Sequence, residues 1–190
     1  MIYINDDIDT LDMDNAMVRI SAQRREKVML MRNERDRRLS VAAYLELRNA
    51  LETEYGITAP PHFDFHDGGK PFIADRRDIC FSMSHCRSGV ACAVSDRPVG
   101  IDIETIRPYR RELAERVMNT EEMDVITSSP HPEIEFIRLW TMKESFLKMT
   151  GEGIRSDLKL VPLSSARFTT TINAARGYIC TACEMACPSY

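Results

Sequence analysis

The chain has 190 residues, 44% of them hydrophobic and 28% charged, with 25 basic against 29 acidic side chains and a formal net charge of −4. That balance is ordinary for a globular protein with its own core, as one large domain or two coupled halves, and it argues against general nucleic-acid binding. No run approaches the roughly 18 apolar residues of a membrane span, and the N-terminus is acidic where a signal peptide is basic, so a cytoplasmic protein without membrane contact is expected.

Met1-Ile2-Tyr3-Ile4 reads as a first strand. Asp6, Asp7, Asp9, Asp12 and Asp14 follow with no basic residue before Val18. They lack the glycine and closing glutamate of an EF-hand and read as a solvated acidic loop and a helix start. The charge then reverses: Arg19, Arg24, Arg25, Lys27, Arg32, Arg35, Arg37 and Arg38 face only Glu26, Glu34 and Asp36. A locally basic helical segment in an acidic protein suits a phosphate polyanion, although a salt-bridged exposed helix is the plainer reading of any one arginine. Residues 40–55 continue as an amphipathic helix with Val41, Tyr44, Leu45 and Leu51 as its buried stripe, ended by Gly56 and Pro60-Pro61.

His62-Phe63-Asp64-Phe65-His66-Asp67 alternates as a strand, and His62, Asp64 and His66 share one face, which is better read as solvated than as a zinc site. Gly68-Gly69-Lys70-Pro71 is a tight turn into a short strand through Phe72-Ile73. Two adjacent strands follow, Ile79 to His85 and Val90 to Val94. Ser84-His85 is not a catalytic pair, because strand neighbours point opposite ways, and no Gly-x-Ser-x-Gly elbow supports a serine hydrolase.

Val99-Gly100-Ile101-Asp102-Ile103-Glu104 alternates strictly, with Ile101 and Ile103 on one face and Asp102 and Glu104 on the other. Arg111 to Val117 reads as a helix, and Asn119-Thr120-Glu121-Glu122 as a capping-box start of another. Further on, Phe136, Ile137, Trp140, Glu144 and Leu147/Lys148 fall on one helical face, so Glu144 points inward. A carboxylate in an apolar stripe is costly unless compensated. Lys148 one turn on can compensate it, as can a cation shared with Asp102 and Glu104. Three such carboxylates suit Mg²⁺, a hard ion that takes oxygen ligands and shares them with substrate phosphates. Beyond Gly153, residues 155–190 read as strands separated by Pro162 and Gly177. Cys180-x-x-Cys183-x-x-x-Cys187 lacks a fourth metal ligand and reads as small apolar residues of a terminal strand, with reduced thiols.

Gly100-Ile101-Asp102-Ile103-Glu104 and Trp140-x-x-Lys143-Glu144-x-x-x-Lys148, with Gly69-Lys70-Pro71 and Phe81-Ser82-Met83-Ser84-His85 before them, resemble the 4′-phosphopantetheinyl transferases of the longer, surfactin-synthetase-activating type. The resemblance implies an α+β fold of two similar halves, 1–98 and 99–190, each a small antiparallel sheet with packed helices. It implies transfer of phosphopantetheine from coenzyme A to a serine of an apo acyl or peptidyl carrier protein, with release of 3′,5′-ADP, by a monomer. Asp102, Glu104 and Glu144 would hold Mg²⁺ or Mn²⁺, with Asp102, Glu144 and Lys148 as the catalytic set. Arg24, Lys27, Arg38, Lys70, Ser84, His85, Lys143 and Lys148 would contact coenzyme A, Lys143 alternatively seating its helix. Glu122 has two readings, a helix cap and a metal or base role. Two other classes share these residues: a metal-dependent phosphohydrolase, and a non-catalytic module that binds coenzyme A or the carrier.

Overall fold

A computed structural model describes residues 1–153 and 157–186. The first half of the chain runs β1 (Ile2–Asn5), α1 (Met13–Arg19), α2 (Ala22–Met29), α3 (Glu34–Tyr55), β2 (Phe63–Phe65), β3 (Pro71–Ile73), β4 (Cys80–Cys86) and β5 (Gly89–Ser95). The second runs β6 (Val99–Thr105), α4 (Arg111–Val117), α5 (Thr120–Ser128), α6 (Pro132–Thr150), β7 (Ala166–Asn173) and β8 (Tyr178–Met185). The strands form an antiparallel sheet β1-β5-β4, a β2-β3 hairpin and an antiparallel sheet β6-β8-β7, so the architecture is the expected α+β.

Polar residues start the helices. The Asp12 carboxylate accepts the N–H groups of Asp14 and Asn15, Ser21 accepts that of Arg24, and Asn33 those of Arg35 and Asp36. The basic segment thus runs from the end of α1 through α2 into the start of α3, with Arg32 in the break before Asn33. Helix α3 stops at Gly56, whose φ of 66° fits the left-handed cap that glycine adopts without Cβ strain. Its buried stripe of Val41, Tyr44, Leu47 and Leu51 packs with Phe63, Ile73, Phe81, Cys92 and Val94 in the larger core. Leu47 takes the buried position that the sequence pattern had assigned to Leu45, which is only partly covered.

A second core lies between the two three-stranded sheets. Ala91 and Ala93 of β5 meet Val99, Ile101 and Ile103 of β6 and Tyr178, Cys180 and Ala182 of β8. Small residues on the first sheet let the second come close, and Ser82 of β4 uses its hydroxyl to accept the Ile101 N–H at 3.1 Å. That bond satisfies a donor of β6 in a buried setting, where an unmet N–H would be costly.

The opposite face of β8 carries Ile179, Thr181 and Cys183 toward α6, whose Thr141 hydroxyl lies 2.7 Å from that of Thr181. Cys180 and Cys183 therefore point to opposite faces as free thiols, each pushed up to about 12 chiefly by burial; Cys187 lies outside the described residues. One expectation is corrected here: Leu158–Leu160 and Leu163–Ser165 are 3-10 turns, and strand structure begins at Ala166. Pro162, which has no N–H for a ladder, separates the two turns.

Candidate functional site

Gly100 brings the site together. A Cβ built there would lie 1.9 Å from the Ser145 carbonyl oxygen and 2.6 Å from the Met149 nitrogen, so α6 crosses β6 in direct backbone contact. The crossing sets Lys148 against Asp102, two residues along the strand. Helix α6 begins with Pro132, which fits the first turn where no N–H is needed, and ends at Gly151 with φ 80°.

Lys148 Nζ donates to Asp102 Oδ1 at 2.7 Å and to Ser84 Oγ at 2.8 Å, while Ser84 Oγ donates to the same Oδ1 at 2.8 Å. One strand from each sheet and the long helix thus meet at a single carboxylate oxygen. The other oxygen, Asp102 Oδ2, is buried without a partner, and so is Glu144 Oε1. Burial holds the Glu144 carboxyl above the usual carboxylate range; the Asp102 charge pushes the same way and Lys148 opposes it. Glu104 is raised for the same two reasons, against Arg107 and Lys148.

Three neighbouring carboxylates, two of them with an orphaned oxygen, and one ammonium form a donor set suited to a hard divalent cation. Among the described residues, however, no three His, Cys, Asp or Glu side chains are gathered closely enough to ligate a metal as they stand. Lys148 holds the middle of the cluster instead.

A cleft leads away from this cluster. A cavity of about 320 Å³ is lined by Glu144, Lys148, Leu147, Phe81 and the Gly68-Gly69-Lys70 turn. It shares Gly69, Pro71 and Met83 with a second cavity of about 440 Å³, lined by Arg24, Lys27, Ser40, Phe63, Ser84 and His85. The Arg24 guanidinium is set there by a 3.3 Å bond to Ser40 Oγ and by the rings of Tyr44 and Phe63, 5.1 and 5.8 Å from its carbon. Burial lowers its pKa from the usual arginine value. His85, exposed at the rim yet flanked by protein, titrates below the ordinary histidine range, first through partial desolvation and second through the Lys148 charge. Such a cleft, basic at one end and acidic at the other, suits a ligand rich in phosphates.

Of the residues singled out from sequence, Arg24, Lys27, Lys70, Ser84, His85, Glu144 and Lys148 line this cleft, with Asp102 and Glu104 beside it. The Lys70 ammonium is engaged with the Met149 carbonyl at 2.7 Å and the Val99 carbonyl at 3.4 Å, tying the turn to the end of α6. Burial lowers its pKa. Arg38 is not among the lining residues; its guanidinium donates to the Leu11 carbonyl at 2.5 Å. Residues not read from the sequence, Ser40, Phe63, Phe65 and Met83, complete the basic arm. The alternation of β4 was the available signal for Met83.

Lys143 lies elsewhere. One position before Glu144, it leaves α6 on another side, with its side chain fully buried. Its ammonium pairs with Glu122 Oε1 at 2.7 Å and donates to the Leu158 carbonyl at 2.7 Å. Glu122 Oε2 meanwhile accepts the Asn119 N–H at 2.8 Å and Asn119 Oδ1 accepts the Glu122 N–H, so the capping box is present. Lys143 thus seats the helix and is not among the residues that line the cleft. Lys143→Met should leave a buried carboxylate uncompensated and cost about 3–5 kcal/mol in denaturant unfolding, much of it recovered by adding Glu122→Gln. Unchanged stability with weakened coenzyme A binding would return Lys143 to the phosphates.

Residues 98–183 match the family model of the 4′-phosphopantetheinyl transferase superfamily. A 4′-phosphopantetheinyl transferase of Bacillus subtilis is 32% identical over 156 residues, covering 80% of this chain and 70% of the relative. The 4′-phosphopantetheinyl transferase Sfp of Bacillus subtilis strain 168 is 31% identical with the same coverage. The 4′-phosphopantetheinyl transferase HetI of Nostoc is 35% identical over 120 residues, 57% of this chain and 51% of that one. The chain belongs to the 4′-phosphopantetheinyl transferase family. Among the described residues no helix is long and apolar enough to cross a membrane.

Proposed function

We propose that this chain moves the 4′-phosphopantetheine group of coenzyme A onto a serine hydroxyl of an apo acyl or peptidyl carrier protein. The observation that carries the reading at this site is the Ser84–Asp102–Lys148 cluster beside Glu144, at the acidic end of a cleft whose other end is basic. Arg24, Lys27 and His85 take the nucleotide phosphates of coenzyme A, and Lys70 braces the turn they approach. Arg38, expected from the resemblance to contact coenzyme A, instead supports the junction of Leu11 with α3.

Asp102, Glu104 and Glu144 would hold Mg²⁺ or Mn²⁺, which when bound would neutralise pyrophosphate charge. The serine oxygen attacks the β-phosphorus, and the bond from that phosphorus to the bridging oxygen breaks, so that 3′,5′-ADP leaves with the electron pair. Lys148 meets the growing negative charge of the leaving phosphate, where a preorganised ammonium counts most. The serine proton passes to Glu144 or to a water beside it. The unpartnered Oε1 is free to accept it.

The test is intact-mass spectrometry of an apo carrier protein incubated with the chain, coenzyme A and Mg²⁺, with a metal-free control. A metal-dependent gain of one phosphopantetheine is the expected result. Coenzyme A cleaved with no gain by fatty-acid, polyketide or peptide carriers would make the chain a hydrolase. Coenzyme A bound and unchanged would make it a binding module.

A further inference from the structure

Lys148 occupies a place that the transfer reaction needs for something else. Its ammonium sits on Asp102 Oδ1 and Ser84 Oγ, both from buried residues, and so supplies a local positive charge to three crowded carboxylates. The other positive groups near the cluster cannot take that place as they stand. Lys143 is locked to Glu122 and Leu158, Arg107 is exposed beyond Glu104, and His85 is held toward its neutral form.

We propose that Lys148 is an internal stand-in for the divalent cation, so that the metal and coenzyme A bind in a mutually dependent way. This rests on the function proposed above. A divalent cation at Asp102 repels an ammonium bonded to the same carboxylate, so one displaces the other. The lysine is able to leave. Its side chain is 31% exposed against 5% for Asp102, and it lines the cleft cavity together with Glu144. A long flexible stem gives the ammonium a second position within the cleft. What it lacks in the empty protein is a second anion there. A phosphate of coenzyme A provides one, drawing the ammonium off Asp102 and leaving Oδ2 open and Oδ1 with only the Ser84 hydroxyl. Each ligand thereby raises the affinity for the other, and the coupling is reciprocal by linkage. The device also spares the empty protein a bare cluster of buried negative charge, which burial makes costly.

The experiment uses the full chain with Mn²⁺ as the probe, free ion being counted by electron paramagnetic resonance with and without coenzyme A. Without coenzyme A, Lys148→Met is expected to bind Mn²⁺ more tightly than wild type by roughly tenfold, within the usual range of such couplings. Lys148→Arg, which keeps the charge, is expected to stay near wild type. The gain in Mn²⁺ affinity on adding coenzyme A should shrink in Lys148→Met. In wild-type protein, saturating Mg²⁺ alone should speed acetylation of Lys148 by an amine-reactive ester, read by peptide mass spectrometry. This second measurement does not depend on any variant folding. Equal Mn²⁺ affinity in wild type and a folded Lys148→Met, or Lys148 no more reactive with Mg²⁺, would overturn the proposal while leaving the function proposed above in place. Mn²⁺ bound by neither protein, even with coenzyme A, would overturn both this proposal and the metal role given above to Asp102, Glu104 and Glu144.

Discussion

Alanine at Asp102 should reduce carrier modification by at least about 10²–10³-fold while the protein stays folded, and alanine at Glu144 should do the same. The two residues reach the cleft from different directions, β6 and α6, and each presents one buried oxygen with no partner. A fold has no use for such oxygens, since each forgoes hydration for nothing. Loss of these oxygens removes no hydrogen bond, although Asp102→Ala also gives up the Oδ1 bonds to Lys148 and Ser84. Loss of Asp102 also relieves the like charge that raises Glu104 and Glu144, so both should titrate nearer the ordinary glutamate value in Asp102→Ala. The sign for stability follows. A carboxyl raised in the folded state favours folding below its unfolded pKa, and that contribution is lost as pH rises through the folded value. In Asp102→Ala at neutral pH without metal, that relief should offset part of what is lost with the Lys148 and Ser84 bonds, and the offset should fade in acid, where thermal melting compared with wild type reads it. Turnover retained by either variant would remove that residue from the reaction.

The acidic end of the site was legible because its signals are local. Strand alternation separates Asp102 and Glu104 from Ile101 and Ile103, and those isoleucines are buried between the sheets. Helical spacing puts Glu144 and Lys148 on one face, and both line the same cavity. The capping box at Asn119 was legible for the same reason, since its partners are three residues apart. Lys143 was harder. The resemblance left it two roles, a coenzyme A contact or the seat of its helix; neighbours on a helix point about 100° apart, and the partner that favours the second role is Glu122, on another helix. Arg38 and Lys70 present the same difficulty in milder form. Each donates to a backbone carbonyl that only tertiary structure brings near, Leu11 for one and Met149 for the other. The break between α2 and α3 was hidden by continuous basic composition, although Asn33 as a cap was available as a signal. The residues between Gly153 and Ala166 misled in another way. Apolar character suggested strand there, but turns that pack Leu158, Val161 and Leu163 against α6 and its neighbours use the same residues.

Gly100 was the least legible residue and its replacement should be among the most damaging. In sequence it is one small residue in an alternating strand, and nothing local demands a glycine there. Its φ is not positive, so no backbone strain marks it. The demand comes from Ser145 and Met149, whose backbone atoms occupy the place of its missing Cβ. Gly100→Ala must push α6 off β6 by roughly 1.5 Å to restore an ordinary contact, because the colliding atoms are backbone and cannot swing aside. That displacement separates Lys148 and Glu144 from Asp102, and a shift near 1 Å at reacting groups can cost on the order of 10²-fold in rate. The expected result is a fall in kcat for carrier modification of that size or more, with a stability loss of about 1–3 kcal/mol. Gly56→Ala is the control. Its left-handed φ of 66° makes alanine costly by about 1 kcal/mol, but no atom lies within 4 Å of the added Cβ and the site is remote. That variant should lose stability and keep its kcat. If both variants lost stability alike and both kept their kcat, the backbone contact between β6 and α6 would not be what sets the distance from Lys148 to Asp102.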